Sequence, residues 1–207
     1  MIEPKSNKLI HGFFSWYISH IIRSDFERFV FNKENFDQSR SILLLSNHFS
    51  WWDGFIIFHL NKIYFKKKFH VMVLEETLKE VKFLPYMGCF SIQKNAKSLI
   101  QSLDYAAKLL DDPKNLVLIF PQGELHSSHV SSVAFEKGVG KIIASSQKKF
   151  QYVFAAILTD YFNFRKPSIN IFLKLWQAQE FTSLQVIKSE YNKHYEKALK
   201  QQSEIKV

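Results

Sequence analysis

Two periods of apolar residues alternate along this 207-residue chain, and the switches between them outline its elements. Residues 9–22, LIHGFFSWYISHII, set Ile10, Phe13, Phe14, Tyr17 and Ile21 at helical spacing, and Phe29 extends the series. From residue 41 the pattern changes. SILLLSNH is a short apolar run closed by a polar turn, as a buried strand requires, and WWDGFIIFHLN after it has helical length. FHVMVLEE predicts a second strand, LPYMGCFSIQ a turn feeding a short third one, and SLIQSLDYAAKLL a helix ending before Asp111-Asp112-Pro113. NLVLIFPQG is another strand, FEKGVGKIIASSQ a helix, QYVFAAILTDY and SINIFLKLWQAQEF further strands, and SLQVIKSEYNKHYEKALKQQ a polar C-terminal helix. Strands alternating with helices imply an α/β fold, a mixed sheet flanked by helices. No internal repeat or long linker divides the body. The expected organisation is an N-terminal amphipathic helical segment at 1–40 and one α/β domain at 41–207.

Composition narrows the classes. Hydrophobic residues make up 46%, 21 of them Phe, so a full core is available and general disorder is excluded. A single cysteine, Cys89, excludes an internal disulfide framework. The net charge of +9 points to nucleic acid, an anionic membrane surface, or an acidic protein or cofactor. Lys62, Lys66, Lys67 and Lys68 surround Tyr64 and Phe65, either as part of such a surface or as a solvated loop. No recognition helix, zinc spacing or aromatic strand signature supports nucleic acid, which is not an expected partner.

The 9–22 run is too short to span a bilayer. As a helix it reaches roughly 21 Å against a hydrocarbon core of roughly 30 Å, and polar residues interrupt it. It also lacks the flanks of a signal peptide. It suits a helix lying in the membrane interface, with Trp16 and Tyr17 at headgroup level, or equally a helix packed on the domain's own core.

Two segments could carry chemistry. In NHFSWWDG, residues 47–54, a buried strand delivers His48 to its end and Asp53 follows five positions later. With His48 in the turn and Asp53 in the first helical turn, the carboxylate reaches Nδ1 and leaves Nε2 free to accept a proton. In LVLIFPQGELHSS, residues 116–128, a second strand ends in Phe120-Pro121-Gln122-Gly123-Glu124 at the same edge of the sheet, where open α/β sheets hold their ligands. His126 and His129 could supply two metal ligands, but no third has suitable spacing, and no metal is expected. Serine-hydrolase and phosphate-loop motifs are absent.

Together the two segments resemble the glycerolipid (lysophospholipid) acyltransferase family. Its N-H-x-x-x-x-D block is intact as Asn47, His48 and Asp53. Its G-x-x-F-[IV]-x-R block is matched by Gly88 and Ile92, with Lys94 in place of Arg. Its F-P-E-G-T-R-S block becomes FPQGELH, where Gln122 replaces Glu, Glu124 replaces Thr and Leu125 replaces Arg. Phe135 and Gly138 match an F-x-x-G helix, while YVFAAIL lacks the proline of the fourth block. The likeness covers residues 41–160.

The resemblance implies acyl transfer from an acyl-CoA or acyl-carrier-protein thioester to a hydroxyl of a lipid acceptor. His48 would be the general base, Asp53 its orienting partner, and Asn47, Lys94, Phe120, Pro121, Gln122, Gly123 and Glu124 the substrate-binding residues. It implies no resident cofactor and no covalent role for Cys89. It also lifts the interfacial alternative for the N-terminal segment, making the chain a peripheral or monotopic protein of the cytoplasmic membrane face. The lost arginines imply an acceptor without a phosphomonoester, or one held by other cations, because a forked guanidinium matches phosphate best. A non-catalytic lipid-binding member is the alternative, and the intact His48–Asp53 pair weighs against it.

Overall fold

The computed structural model describes residues 1–93, 96–179 and 182–206. Six helices, α1 (Lys8–Asp25), α2 (Trp52–Leu60), α3 (Glu75–Glu80), α4 (Ala96–Leu109), α5 (Lys137–Ser145) and α6 (Leu184–Ser203), flank one seven-stranded sheet. Its strands are β1 (Phe29–Phe31), β2 (Ile42–Ser46), β3 (Lys68–Leu74), β4 (Cys89–Ile92), β5 (Asn115–Ile119), β6 (Gln151–Asp160) and β7 (Ser168–Trp176). The order is β1-β7-β6-β2-β5-β3-β4, and only the β6–β7 pair is antiparallel. The expected mixed α/β sheet is therefore present.

The central strands are apolar on both faces because both faces are covered. Ile42 and Leu44 of β2 and Leu116 and Leu118 of β5 join one core cluster, with Ile18 and Ile22 of α1 and Ile56 of α2. Leu43, Leu45, Val117 and Ile119 point the other way, against Leu103 of α4, Ile142 of α5 and Tyr191 of α6. β2 and β5 are parallel neighbours with Leu45 opposite Ile119. The residues that follow each strand, 47–53 and 120–124, thus emerge side by side at the carboxyl edge.

Four local expectations change. Residues 29–31, expected within a helical N-terminal segment, form an edge strand parallel to β7. The face of α1 that meets the core is Ser15, Ile18, Ser19 and Ile22, while Phe13 and Tyr17 of the expected apolar face are exposed, as is Trp16. The close approach of α1 to α2 favours the small serines, and Ser19 Oγ lies 3.2 Å from Nδ1 of His59. The lysine run is only partly loop, although Lys62, Lys66 and Lys68 are exposed. Residues Asn61–Phe65 continue α2 as a π-helical turn that buries Phe65. Within the run, Lys62 Nζ donates to Ser15 O and Ser19 Oγ, and Lys67 Nζ to Gln38 O and Pro113 O. Finally, the polar C-terminal helix has a buried stripe of Ile187, Tyr191, His194, Tyr195 and Ala198. Its tyrosines reach the core beneath β6, where Tyr191 donates to Ala155 O at 2.8 Å.

Candidate active site

The site begins where β2 stops. Asn47 is buried, and its side chain substitutes for backbone: Nδ2 donates to Ile157 O at 2.8 Å and Oδ1 accepts from Ile157 N–H at 2.8 Å. These bonds continue the β2–β6 ladder, whose last paired residues are Ser46 and Ala155. Asn47 was expected to bind substrate, yet both of its amide groups are engaged by Ile157. Through these bonds it holds the turn that carries His48.

His48 and Asp53 meet as the spacing predicts. Asp53 sits in the first turn of α2, fully buried, and its Oδ2 is 2.8 Å from His48 Nδ1. The same oxygen accepts from Phe49 N–H at 2.7 Å and Ser50 N–H at 2.9 Å, so one atom ties the whole turn to the helix start. Burial pushes the Asp53 carboxyl above its ordinary range; the hydrogen bonds with His48 and the Ser50 and Phe49 N–H groups oppose that push. An oxygen that accepts from two backbone N–H groups leaves Nδ1 of His48 as a further donor, which assigns the proton to Nδ1 and the free lone pair to Nε2. The imidazole keeps part of its surface open, at 23% against 0% for the Asp53 side chain.

The second loop supports the ring from below. Phe120 stacks on His48 with centroids 4.0 Å apart and planes 15° from parallel. Gln122 is buried, and its Oε1 accepts from His48 N–H at 2.7 Å. A backbone bond from His126 N–H to His48 O at 3.0 Å joins the two loops again. Residues 120–123 form a turn closed by Gly123 N–H to Phe120 O at 3.2 Å, with proline at its second position. Gly123 has φ +73°, where a Cβ would be strained. Pro121 O accepts from Glu136 N–H at 2.8 Å, which anchors the turn to the start of α5. Glu124 is exposed and lies 3.7 Å from His126. Lys94, the remaining substrate-binding candidate, lies outside the described residues.

A cavity of about 750 Å³ opens beside His48, which lines it together with Trp51, Phe120 and Gln122. Its walls are mostly apolar and include Phe58 and Val71 on one face of the sheet and Leu103 and Val139 on the other. Cys89 also lines it, but burial pushes the thiol up to about 12, which removes the thiolate at neutral pH. Among the described residues no group of three or more His, Cys, Asp or Glu side chains could hold a metal ion. Sequence reasoning missed the backbone use of Gln122 and Asn47 and the approach of Tyr191 beneath β6. The stripe of Ile187, Tyr191, Tyr195 and Ala198 at helical spacing was the available signal for the last.

The site is thus a His–Asp pair at the carboxyl edge of a mainly parallel sheet, at the mouth of a mostly apolar cavity in an α/β fold. The chain belongs to the acyltransferase family, whose model matches residues 27–157. Among solved structures it is similar to the 1-acyl-sn-glycerophosphate (LPA) acyltransferase PlsC from Thermotoga maritima, with a TM-score of 0.63 and 13% identity. That match covers 94% of this chain and 82% of the other, and at this identity it is a likeness of fold. Comparison with curated protein sequences finds no match.

Proposed function

We propose that this protein transfers a fatty acyl group from an acyl-CoA or acyl-carrier-protein thioester to a hydroxyl of a lipid acceptor. The single observation that carries the proposal is the 2.8 Å contact between His48 Nδ1 and the buried Asp53, made at the mouth of an apolar cavity of about 750 Å³. Such a pair activates a hydroxyl, and such a cavity accepts an alkyl chain.

In this reading the acceptor O–H gives its proton to His48 Nε2 as its oxygen attacks the thioester carbonyl carbon. The C–S bond then breaks, the sulfur leaves with the proton returned by the imidazolium, and an ester and a free thiol result. Asp53 stabilises the imidazolium and keeps its tautomer. Phe120 restricts the ring's tilt by stacking. Gln122 fixes the backbone of His48, so its oxygen is occupied by the protein. No acyl-enzyme forms, in keeping with the buried Cys89 thiol.

The acceptor is a lysophospholipid or a non-phosphate lysolipid. Leu125 is exposed where the family resemblance expects arginine, and Gln122 is neutral where it expects glutamate. Both differences favour weaker discrimination for a phosphomonoester. We further infer peripheral attachment to the cytoplasmic face of a membrane, since the acceptor is a lipid. No helix among the described residues is long and apolar enough to cross a bilayer.

The test is product analysis with purified protein. Acyl-CoA and acyl-carrier protein are offered as donors to lysophosphatidate and to a non-phosphorylated lysolipid, and products are resolved by mass spectrometry. An acylated lipid from either acceptor is expected. Thiol release with no lipid product would replace transfer by hydrolysis, and neither product would favour a lipid-binding role.

A further inference from the structure

The cavity beside His48 reaches both faces of the sheet. Side chains of consecutive strand residues point to opposite faces, yet Val71, Met72 and Val73 of β3 all line it. Val71 and Val73 pack into the cluster that α1 and α2 cover, and Met72 into the one that α4, α5 and α6 cover. A strand bonded on both sides is a wall between the two. β3 is bonded to β4 over residues 71–74, but to β5 only as far as Val71 opposite Leu118. The cavity is therefore two lobes, joined past the end of β5, where Ile119 and Phe120 line it.

The lobes differ in depth and in their relation to His48. On the α2 side the lining runs back along β3 from Val73 through Val71 to Phe69, four residues or roughly 13 Å at about 3.3 Å each. Phe58, Met87 and Cys89 complete that wall. Phe120, on which the His48 ring stacks, packs against this side's cluster, so the imidazole stands over this lobe. The other lobe is shallower. It is lined by Leu99 and Leu103, one turn apart on α4, and by Val139 and Ile142 of α5, Met72 and Ile119. All six are apolar, which suits hydrocarbon and offers no partner to the amides of a pantetheine arm. Leu125 lines the cavity too, with the exposed carboxylates Glu124 and Glu136. Carboxylates repel a phosphomonoester, which leaves the alkyl chain as the part of an acceptor that this side recognises best.

We propose that the two lobes hold two alkyl chains at once, the transferred acyl chain on the α2 side and the acceptor's own chain between α4, α5 and the sheet. The acceptor class is then a lipid that already carries one long chain and is selected by that chain. Which chain enters which lobe rests on the acyl-transfer reading; simultaneous occupancy does not.

The test is equilibrium dialysis of full-length protein with labelled palmitate and a labelled one-chain lysolipid, each below its micellar concentration. Native protein should bind both together, neither displacing the other. Leu99→Trp, placed in the α4 lobe, should weaken lysolipid binding by about tenfold or more and leave palmitate near native; Val73→Trp should do the reverse. Thermal melting confirms that each variant is folded, and Leu99→Ala, which enlarges the lobe, should favour lysolipids of longer chain. Mutual displacement in the native protein, or loss of both ligands in each variant, would mean one shared chain site and overturn the proposal. Lysolipid binding untouched by Leu99→Trp would overturn it as well, as would weakened binding of unacylated CoA in that variant alone, which would give the lobe to the thiol arm. If both chains bind together but no ester forms from acyl-CoA or acyl-carrier protein, the transfer reading fails and the two-chain cavity stands.

Discussion

Replacing Asp53 by Asn separates the charge at the site from its geometry. The amide has nearly the shape of the carboxylate, and its oxygen can still accept from Phe49 N–H, Ser50 N–H and His48 Nδ1–H, which now converge on Oδ2. Its nitrogen would take the place of Oδ1, which is buried without a hydrogen-bond partner among the described residues. The fold should therefore survive, with a loss of about 1–3 kcal/mol for amide N–H groups that find no acceptor there, partly offset by removal of a buried charge. Catalysis should not survive. When His48 takes the acceptor's proton, a positive charge forms about 4 Å from the carboxylate's charge centre, worth about 4 kcal/mol at an effective dielectric of about 20. Its loss lowers kcat by about 10³-fold, because each 1.36 kcal/mol is tenfold. The assay is thiol release coupled to lipid product, with circular dichroism and thermal melting of the same samples. In a double-mutant cycle with His48→Ala the effects should be far from additive, since the two residues act as one unit. A folded Asp53→Asn protein within tenfold of native kcat would refute the role given to the charge.

Three further outcomes follow from the structure. Asn47→Ala leaves the buried N–H and C=O of Ile157 without their partners and should cost about 2–4 kcal/mol in urea unfolding. The KM of whatever protein remains folded should stay near native; a selective rise in KM would restore Asn47 as a substrate contact. Gly88→Ala should destabilise by about 3 kcal/mol or more, because φ is +88° and a Cβ would lie 1.9 Å from Phe69 O; an unchanged urea midpoint would contradict this. For pH dependence, burial lowers both His70 and His194 to about 4 in the folded protein. The unfolded chain binds those protons first, so this stability is complete above about pH 6.5 and is lost as pH falls toward 4, by up to about 3 kcal/mol for each histidine. His194→Gln keeps a donor for Phe172 O and should flatten the slope measured by denaturant melts across that range; a slope equal to native would sink the assignment.

Much of the fold was legible because strands and helices here differ in length and period. ILLLS and NLVLI are short runs without a polar face, as parallel strands covered on both sides must be. The same runs located the site, since polar turns follow both at one edge. The five-residue step from His48 to Asp53 gave their meeting, because only a turn followed by a helix start lets that spacing converge. Other features were hidden for physical reasons. Three residues, Phe29–Phe31, are too few for a strand period to emerge beside the preceding helical pattern. Ser15 and Ser19 looked like interruptions of an apolar face, but close packing against α2 makes small residues the core-facing ones. Asn47 and Gln122 looked like ligand groups, since a polar residue in a motif does not reveal whether its partner is backbone or substrate. For Lys62 and Lys67 a basic surface and a solvated loop stayed open as alternatives, because nothing local marks the distant carbonyls that receive them.

The most direct measurement compares native protein with His48→Ala in a single reaction holding labelled acyl-CoA and a lysolipid, following acylated lipid and free thiol together. His48 reaches Asp53 only through a local turn, and its ring is part exposed, so the variant should keep its circular dichroism and melting temperature. Native protein should form lipid ester and thiol in equal amounts, and the folded variant should lose both together by about 10²–10⁴-fold. Equal product formation by a folded His48→Ala protein would contradict the account.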